Sequence, residues 1–243
     1  MRITRLYHPA QLHCGDTTQL DSNASSHLIK VLRTKQDTAI ILFNGDGFDY
    51  QCRTLDSNAK KTLVAVEQKI KVDNESNLSI TLIQGLSRQD RMEATIQKSV
   101  ELGVNKIIPV ICQRSNSRLS SDKKIKKLQH WRKVAISACE QSGRSIIPEV
   151  SEINTLTDIL PLLNPQAQKF TLHPQANLSL KEVESDQQSI ELFIGPEGGL
   201  NNEETAFLKQ NNFTDIRFGP RILRTETAGP AVISALQMLW GDF

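Results

Sequence analysis

The 243-residue chain lacks any apolar run that approaches the roughly 20 residues a membrane-spanning helix needs. It also lacks an apolar segment behind its first residues, so we expect no secretory signal peptide. Its cysteines are few, and no two of them have the spacing of a metal or redox motif; they are Cys14, Cys52, Cys112 and Cys139. We therefore expect a soluble cytoplasmic protein with free thiols, no membrane attachment and no metal site.

Net charge is also small, because 29 Lys and Arg residues nearly balance 27 Asp and Glu residues and leave a formal charge of +2. The total charge thus does not identify a nucleic-acid binder, and only the positions of the cations can do so. The hydrophobic fraction of 38% is enough for a packed core. The length suits one large domain, or a medium domain with a small one.

Residues 1–71 are predicted to form a domain of short strands. The apolar run 38–43, the turn sequence NGDG at 44–47 and the run 48–54 together predict a β-hairpin, and 62–70 predicts a further strand. Residues 25–33 predict a short helix. Several short strands with tight turns are typical of a small β-barrel. A polar stretch at 72–77 predicts the linker to a second domain.

Residues 72–243 are predicted to form an α/β domain. Strands are expected at 78–86, 104–111, 146–150, 170–172, 190–194 and 215–218, and helices at 90–102, 122–141, 156–163, 203–211 and 228–240. Asp90 is the expected cap of the first helix, and Gly103 its end. Strands that alternate with helices predict a mostly parallel sheet.

Ligands of such sheets lie beyond the carboxyl ends of the strands, so the loops there are the candidate sites. The strongest is 194–199, with the sequence IGPEGG, because its glycines permit positive φ and close backbone approach. Asn201 is expected to cap the next helix together with Glu204. The loop lacks the Gly-Lys-Ser/Thr of a phosphate loop. Alternatively, it is only a tight connection.

Two further loops follow strands. The loop 218–229 holds two arginines, a glutamate and two threonines within seven residues. Its threonines could simply cap the last helix and its arginines could be solvated; Ile222 and Leu223 are expected to anchor it. The third loop contains His173, and a lone histidine after a strand is more often structural than catalytic.

Basic residues cluster on a loop and a long helix. Nine cations there favour a phosphate-binding surface over a merely solvated face; they are Arg114, Arg118, Lys123, Lys124, Lys126, Lys127, Arg132, Lys133 and Arg144. The apolar side of the helix is expected to carry Ile125, Leu128, Val134, Ala135 and Ala138. A smaller cluster joins Lys30, Arg33 and Lys35. From both clusters we predict RNA contacts by Lys30, Arg33, Arg114, Arg118, Lys123, Lys126, Lys127 and Arg144.

Five motifs in one order make the chain resemble the RsmE-type methyltransferases. They are HLIKVLR at 27–33, RMEATIQKSVELG at 91–103, ACEQSGR at 138–144, IGPEGG at 194–199 and LRTETA at 223–228. The resemblance spans nearly the whole chain. It implies a SPOUT-class α/β fold with a C-terminal trefoil knot, preceded by a PUA-like barrel that binds RNA. It also implies a homodimer.

The activity that the resemblance implies is methylation of the N3 position of a uridine in small-subunit (16S) ribosomal RNA, either free or in the assembled subunit. The methyl donor would be S-adenosylmethionine, held in the knot. The implied donor-binding residues are Leu172, His173, Ile194, Gly195, Pro196, Glu197, Gly198, Gly199, Phe218, Gly219, Leu223, Thr225, Thr227 and Ala228.

Removal of the N3 proton calls for a base, and charge on the uracil oxygens calls for a cation. We predict that Arg224 orients and stabilises the uracil and that Glu226 removes the N3 proton. Glu197 is the second candidate for proton removal. Glu226 could instead only order its loop. A non-catalytic RNA-binding or ribosome-assembly protein remains the alternative function. A nucleotide-dependent oxidoreductase is disfavoured, because residues 87–91 after the first α/β strand contain no glycine.

Overall fold

A computed structural model describes residues 3–115 and 119–243. The chain divides into two compact units. The first combines Met1–Glu75 with Cys139–Ile147, and the second combines Ser76–Ala138 with Pro148–Phe243. Each unit has its own sheet, and the two are described in turn.

The first unit is built on a five-stranded sheet in the order β1-β3-β4-β5-β2. Its strands are β1 (Thr4–Tyr7), β2 (Thr17–Gln19), β3 (Ala39–Phe43), β4 (Phe48–Thr54) and β5 (Leu63–Lys71). The predicted hairpin is confirmed, since β3 pairs antiparallel with β4 across a turn in which Gly45 and Gly47 have φ of 96° and 85°. β1 and β2 form the edges. The described strand pairs thus form one path from β1 to β2, and closure of this small sheet into a barrel stays a prediction.

The short helix of the first unit has two parts. α1 (Ser22–Ser26) is capped by the Asp21 carboxylate, which accepts hydrogen bonds from the N–H groups of Asn23 and Ala24. A π-helical turn at His27–Val31 follows directly. Its widened winding is a rare conformation, which is why the sequence predicted one ordinary helix.

A segment remote in sequence completes the first unit. The guanidinium of Arg5 donates to the Asp49 carboxylate, to the hydroxyl of Ser145 and to the carbonyl oxygen of Cys139. Arg144 is only 4% exposed and forms two hydrogen bonds to the Glu75 carboxylate, at 2.9 and 2.5 Å. The Arg5 contacts attach the 139–147 segment to the sheet, and the Arg144–Glu75 pair attaches it to the chain that follows β5.

The second unit is the predicted α/β part. Its strands are β6 (Ser79–Gly85), β7 (Lys106–Ile111), β8 (Glu149–Val150), β9 (Asn154–Thr155), β10 (Gln168–Leu172), β11 (Ser189–Ile194) and β12 (Phe213–Ile216). The order is β12-β10-β11-β6-β7-β8, with β9 also beside β7, and every named pair is parallel. The prediction of a parallel sheet is confirmed.

Four helices accompany this sheet: α2 (Gln89–Glu101), α3 (Ser121–Ser142), α4 (Asn202–Gln210) and α5 (Thr225–Trp240). Asp90 lies inside the first turn of α2 and does not cap it, because Arg88 occupies the N-cap position. Gly103 ends α2 as predicted, with φ of 88°. The last turn of α3 belongs to the first unit.

Two predicted elements are shorter than expected. The strand expected at 146–150 is reduced to β8, because the residues before it pack in the first unit. The helix expected at 156–163 is only a 3-10 turn at Leu160–Leu162, with Pro161 in its first turn. A second 3-10 turn lies at Leu180–Glu182.

Among the described residues, no helix is long and apolar enough to cross a bilayer. The same residues contain no group of three or more His, Cys, Asp or Glu side chains arranged to hold a metal ion.

Cysteine burial predicts a selective thiol chemistry. Burial raises the pKa of Cys52 and of Cys112 to about 12 and that of Cys139 to about 11. Cys14 is exposed. Because the thiolate is the reactive form, we expect a maleimide at neutral pH to modify only Cys14 rapidly in the native protein and all four cysteines in denaturant. Mass spectrometry after a short pulse measures this, with Cys14→Ser as the control. Rapid labelling of two or more cysteines in the native protein would contradict the burial of Cys52, Cys112 and Cys139.

Candidate active site

A cavity of about 650 Å³ lies at the carboxyl ends of β10, β11 and β12. Three loops surround it, and each follows one of these strands. This is the position at which parallel α/β sheets bind ligands. Its size is that of an ordinary small-molecule site.

The glycine loop 194–199 leaves β11 and leads into α4. Asn201 accepts a hydrogen bond from the N–H of Glu204, and the Glu204 carboxylate accepts one from the N–H of Asn201, which is the predicted capping box. Gly199 has φ of 68°, and its N–H donates to the carbonyl oxygen of Pro196. The loop is therefore a fixed turn that leads into a capped helix.

A buried hydroxyl joins this loop to two other segments. The hydroxyl of Thr225 accepts a hydrogen bond from the side-chain amide of Gln84 and donates one to the carbonyl oxygen of Gly195, both at 2.9 Å. Gln84 lies near the end of β6. Its neighbour Gly85 has no space for a side chain, since a Cβ atom there would collide with the backbone of Pro196. The cavity wall is thus held by the close approach of three chain segments.

The loop after β12 is organised differently from the prediction. Gly219 has φ of 73°, and α5 begins at Thr225, so Glu226 lies in the first turn of the helix and not in the loop. Arg224 occupies the N-cap position. Ile222 is 84% exposed and cannot anchor the loop, while Leu223 is half-buried. The Thr225 hydroxyl fixes the end of the loop through its hydrogen bond to Gly195.

The two candidate carboxylates share one cation, Arg91, on α2. Its guanidinium lies 2.9 Å from a carboxylate oxygen of Glu197 and 3.7 Å from Oε1 of Glu226. Glu197 also accepts the backbone N–H of Arg88. Oε2 of Glu226 is buried and has no hydrogen-bond partner among the described residues. Glu197 is thus fixed by an ion pair and a hydrogen bond, while one oxygen of Glu226 has no described partner.

His173 has a structural contact in this site. Its ring Nδ1 accepts a hydrogen bond from the backbone N–H of Gln175. Its backbone N–H donates to the carbonyl oxygen of Ile216. The backbone of His173 thereby extends the pairing of β10 with β12. His173 thus has structural contacts, and its part in donor binding stays a prediction.

The cavity brings together most residues of the predicted donor site. It is lined by Leu172, His173, Ile194, Gly195, Pro196, Glu197, Gly199, Phe218, Gly219, Leu223, Thr225 and Ala228, and by Arg224. Gly198, Thr227 and Glu226 are not among the described lining residues. Arg91 and Asp215 do line the cavity, and the sequence reasoning did not select them. The sequence contained a signal for Arg91 alone, because Arg91 begins the family motif at 91–103.

The predicted RNA-contacting residues are dispersed. Lys30 and Arg33 are exposed in the first unit, and Lys123 and Lys126 are exposed on α3. Lys127 lies over the ring of the buried Trp131, with Nζ 5.6 Å from the centroid. Trp131, Ala135 and Ala138 form the buried side of α3, whereas Ile125, expected there, is exposed.

Two arginines of the predicted RNA surface, Arg114 and Arg144, have contacts within the protein, and a third is not described. Arg114 donates to the carbonyl oxygens of Gly198 and Leu200. Arg118 lies outside the described residues. Arg144 is withdrawn from the surface, because it is buried and its charge is neutralised by Glu75.

Comparison with known families gives two matches along the chain. The profile of the RNA methyltransferase domain matches residues 74–237. The profile of the RNA methyltransferase PUA domain matches residues 20–67. The first match covers more than half of the chain and includes all three loops of the cavity.

Individual relatives extend over the full length. "Ribosomal RNA small subunit methyltransferase E" of Buchnera aphidicola is 33% identical over 242 residues, which are 100% of this chain and 96% of the relative. The crystal structure of the Neisseria gonorrhoeae protein of that name, bound to S-adenosyl methionine, is 38% identical with a TM-score of 0.95 and covers 100% of both chains. A Legionella pneumophila methyltransferase structure in complex with the same cofactor is 34% identical, also with a TM-score of 0.95 over 100% of both chains. The predicted resemblance is confirmed, and the chain belongs to the ribosomal RNA small subunit methyltransferase E family of RNA methyltransferases.

Proposed function

We propose that the protein transfers a methyl group from S-adenosylmethionine to the N3 position of one uridine in small-subunit (16S) ribosomal RNA. The observation that carries this proposal is the cavity at the ends of β10, β11 and β12, in a chain related over its full length to proteins named for that substrate. We place the reaction in the cytoplasm, where small subunits assemble.

The cavity suits the donor in size and in chemistry. Two walls are glycine-containing turns, where backbone can approach a ligand closely. Apolar side chains such as Leu172 and Ile194 supply a dry surface, and Asp215 places a carboxylate at the cavity for a cationic ligand. One oxygen of Asp215 pairs with Lys209 at 2.8 Å, while the other is buried without a partner among the described residues.

When bound, S-adenosylmethionine supplies a methyl group on a positively charged sulfur. The uracil N3 must lose its proton, because the neutral imide has no free lone pair to form the new bond. We assign that proton to Oε2 of Glu226, since this buried oxygen has no hydrogen-bond partner in the part of the chain that the structure describes. Glu197 is the second candidate, but its carboxylate is already engaged by Arg91 and Arg88.

Two arginines complete the assignment. Arg224 lines the cavity and is exposed, so its guanidinium is available to the uracil oxygens as negative charge develops on them. Arg91 is a positioning residue that holds the Glu197 and Glu226 carboxylates next to each other.

The target nucleotide must be unpaired or turned out of its helix, because N3 lies on the pairing edge of uracil. We propose that Lys123, Lys126 and Lys127 of α3 contact phosphates of the surrounding RNA. We also propose that the PUA-like first unit, Met1–Glu75 with Cys139–Ile147, binds RNA. Arg114 lies beside the glycine loop and joins this set.

We further propose a C-terminal trefoil knot and a homodimer. The convergence of Gln84, Gly195 and Thr225 supports a chain that passes closely through its own loops. Exposed Met238, Leu239 and Phe243 near the C-terminus support a protein partner surface. Light scattering that gives the mass of one chain would contradict the dimer, and an experimental structure with an unthreaded chain would contradict the knot.

The function is tested by incubating the protein and labelled donor with small-subunit RNA, both free and in assembled subunits. We expect label at one uridine, mapped by nuclease digestion and mass spectrometry, and a product whose retention matches N3-methyluridine. RNA binding without methyl transfer would instead favour the non-catalytic alternative. Methylation of a different base would contradict the N3 assignment.

The base assignment is tested by Glu226→Gln. Loss of a general base should lower the single-turnover rate by about 100-fold or more, while the donor Kd changes by about twofold or less, since Glu226 is not a lining residue. Glu203→Gln, an exposed carboxylate in the first turn of α4, is the matched control. A wild-type single-turnover rate in Glu226→Gln would remove Glu226 from the base role.

A further inference from the structure

The π-helical turn of the first unit exposes two apolar side chains between cations. Val31 is 65% exposed and Leu32 is 44% exposed. Lys30 precedes them, and Arg33 and Lys35 follow, all exposed. No ion pair of these three cations occurs within residues 3–115 and 119–243. The nearest acid along the chain, Asp37, pairs with Arg53 at 3.3 Å.

The backbone of this turn is fixed from several sides. The N–H of Leu32 donates to the carbonyl oxygen of His27 at 3.0 Å, and the N–H of Thr34 donates to that of Leu28 at 2.9 Å. Leu28 is fully buried in the core of the first unit. Arg33 adopts φ of 54°, in the left-handed region that a non-glycine residue rarely occupies. A rigid backbone thus presents Val31 and Leu32 to solvent.

A second buried contact holds the preceding helix in place. The hydroxyl of Ser25 donates to the carbonyl oxygen of Leu20 and accepts the backbone N–H of Thr62. α1 is therefore attached to the sheet directly before the π-helical turn. Since π turns are uncommon and concentrate at functional positions, a turn fixed in this way points to a binding role.

The chemistry of the turn indicates its partner. Three cations that form no ion pair with any described residue attract a polyanion. Two branched aliphatic side chains need an apolar surface to cover them. An unpaired nucleotide in RNA offers both, because its phosphate is anionic and the faces of its base are apolar. A duplex offers the phosphates but keeps its base faces stacked on one another.

We propose that Val31 and Leu32 form an apolar wedge that packs against an unstacked base of the RNA substrate, while Lys30, Arg33 and Lys35 hold the flanking phosphates. Aliphatic side chains also contact base faces in DNA complexes, where they insert between base pairs and unstack them. The inference rests on the proposed function for the identity of the RNA, and it adds a contact that distinguishes single strands from duplexes.

The test separates the apolar contribution from the ionic one. Full-length wild-type protein, Val31→Ser/Leu32→Ser and Lys30→Gln/Arg33→Gln are titrated against a labelled single-stranded RNA and its fully paired duplex at several salt concentrations. Leu162→Ser is the matched control, since Leu162 is an exposed aliphatic residue in a 3-10 turn of the second unit. Thermal melting and light scattering verify fold and mass for each variant.

We expect the wedge variant, Val31→Ser/Leu32→Ser, to bind the single strand about tenfold more weakly than wild type. Its duplex affinity and its slope of log affinity against log salt should be unchanged. The charge variant, Lys30→Gln/Arg33→Gln, should bind both RNAs more weakly. For the single strand, its slope of log affinity against log salt should be smaller by about 1.4. Leu162→Ser should bind as wild type does.

Three results would overturn the wedge: wild-type single-strand affinity in a folded wedge variant, equal losses for strand and duplex, or a changed oligomeric mass. The last result would assign the surface to a protein partner. These outcomes are independent of methyl transfer, so an inactive wild-type protein would count against the proposed function alone.

Discussion

The site depends on the two hydrogen bonds of one buried hydroxyl. Thr225 is bound by Gln84 from β6 and itself binds the carbonyl oxygen of Gly195 from the glycine loop. Because buried polar groups are costly to leave unpaired, this arrangement fixes three segments that are far apart in sequence. The absence of a side chain at Gly85 allows the contact, since a Cβ atom there would collide with the backbone of Pro196. The walls of the cavity are positioned by this convergence.

The same arrangement explains how one small site can serve two substrates. The glycine loop and the ends of β10 and β12 enclose the cavity that we assign to the donor. The start of α5 carries Arg224 and Glu226, which we assign to the RNA base. Since Thr225 lies between these two residues, the contact that closes the donor cavity also sets the position of the groups that act on the base. Arg91 adds a second constraint through the carboxylates.

Local signals in the sequence predicted the parallel sheet, the hairpin around Gly45 and Gly47, and the Asn201–Glu204 capping box, because each depends on neighbouring residues. Tertiary contacts determined what the sequence did not predict. In the sequence Arg144 looks like a surface cation, because nothing local indicates that it is buried and paired with Glu75. Strands β1 and β2 have only four and three residues, and they exist because partner strands are present. The start of α5 was placed at Ala228, since threonine and glutamate in its first turn resemble a loop.

The most direct test is calorimetric titration of S-adenosylmethionine into Thr225→Val, with Thr227→Val as the matched control, because Thr227 is exposed and is not among the described cavity-lining residues. Valine keeps the shape of threonine but leaves the Gly195 carbonyl oxygen without its donor. The account predicts that Thr225→Val binds the donor about tenfold or more weakly, and that Thr227→Val stays within about twofold of wild type. Wild-type affinity in a folded Thr225→Val protein would contradict the central role of this hydroxyl.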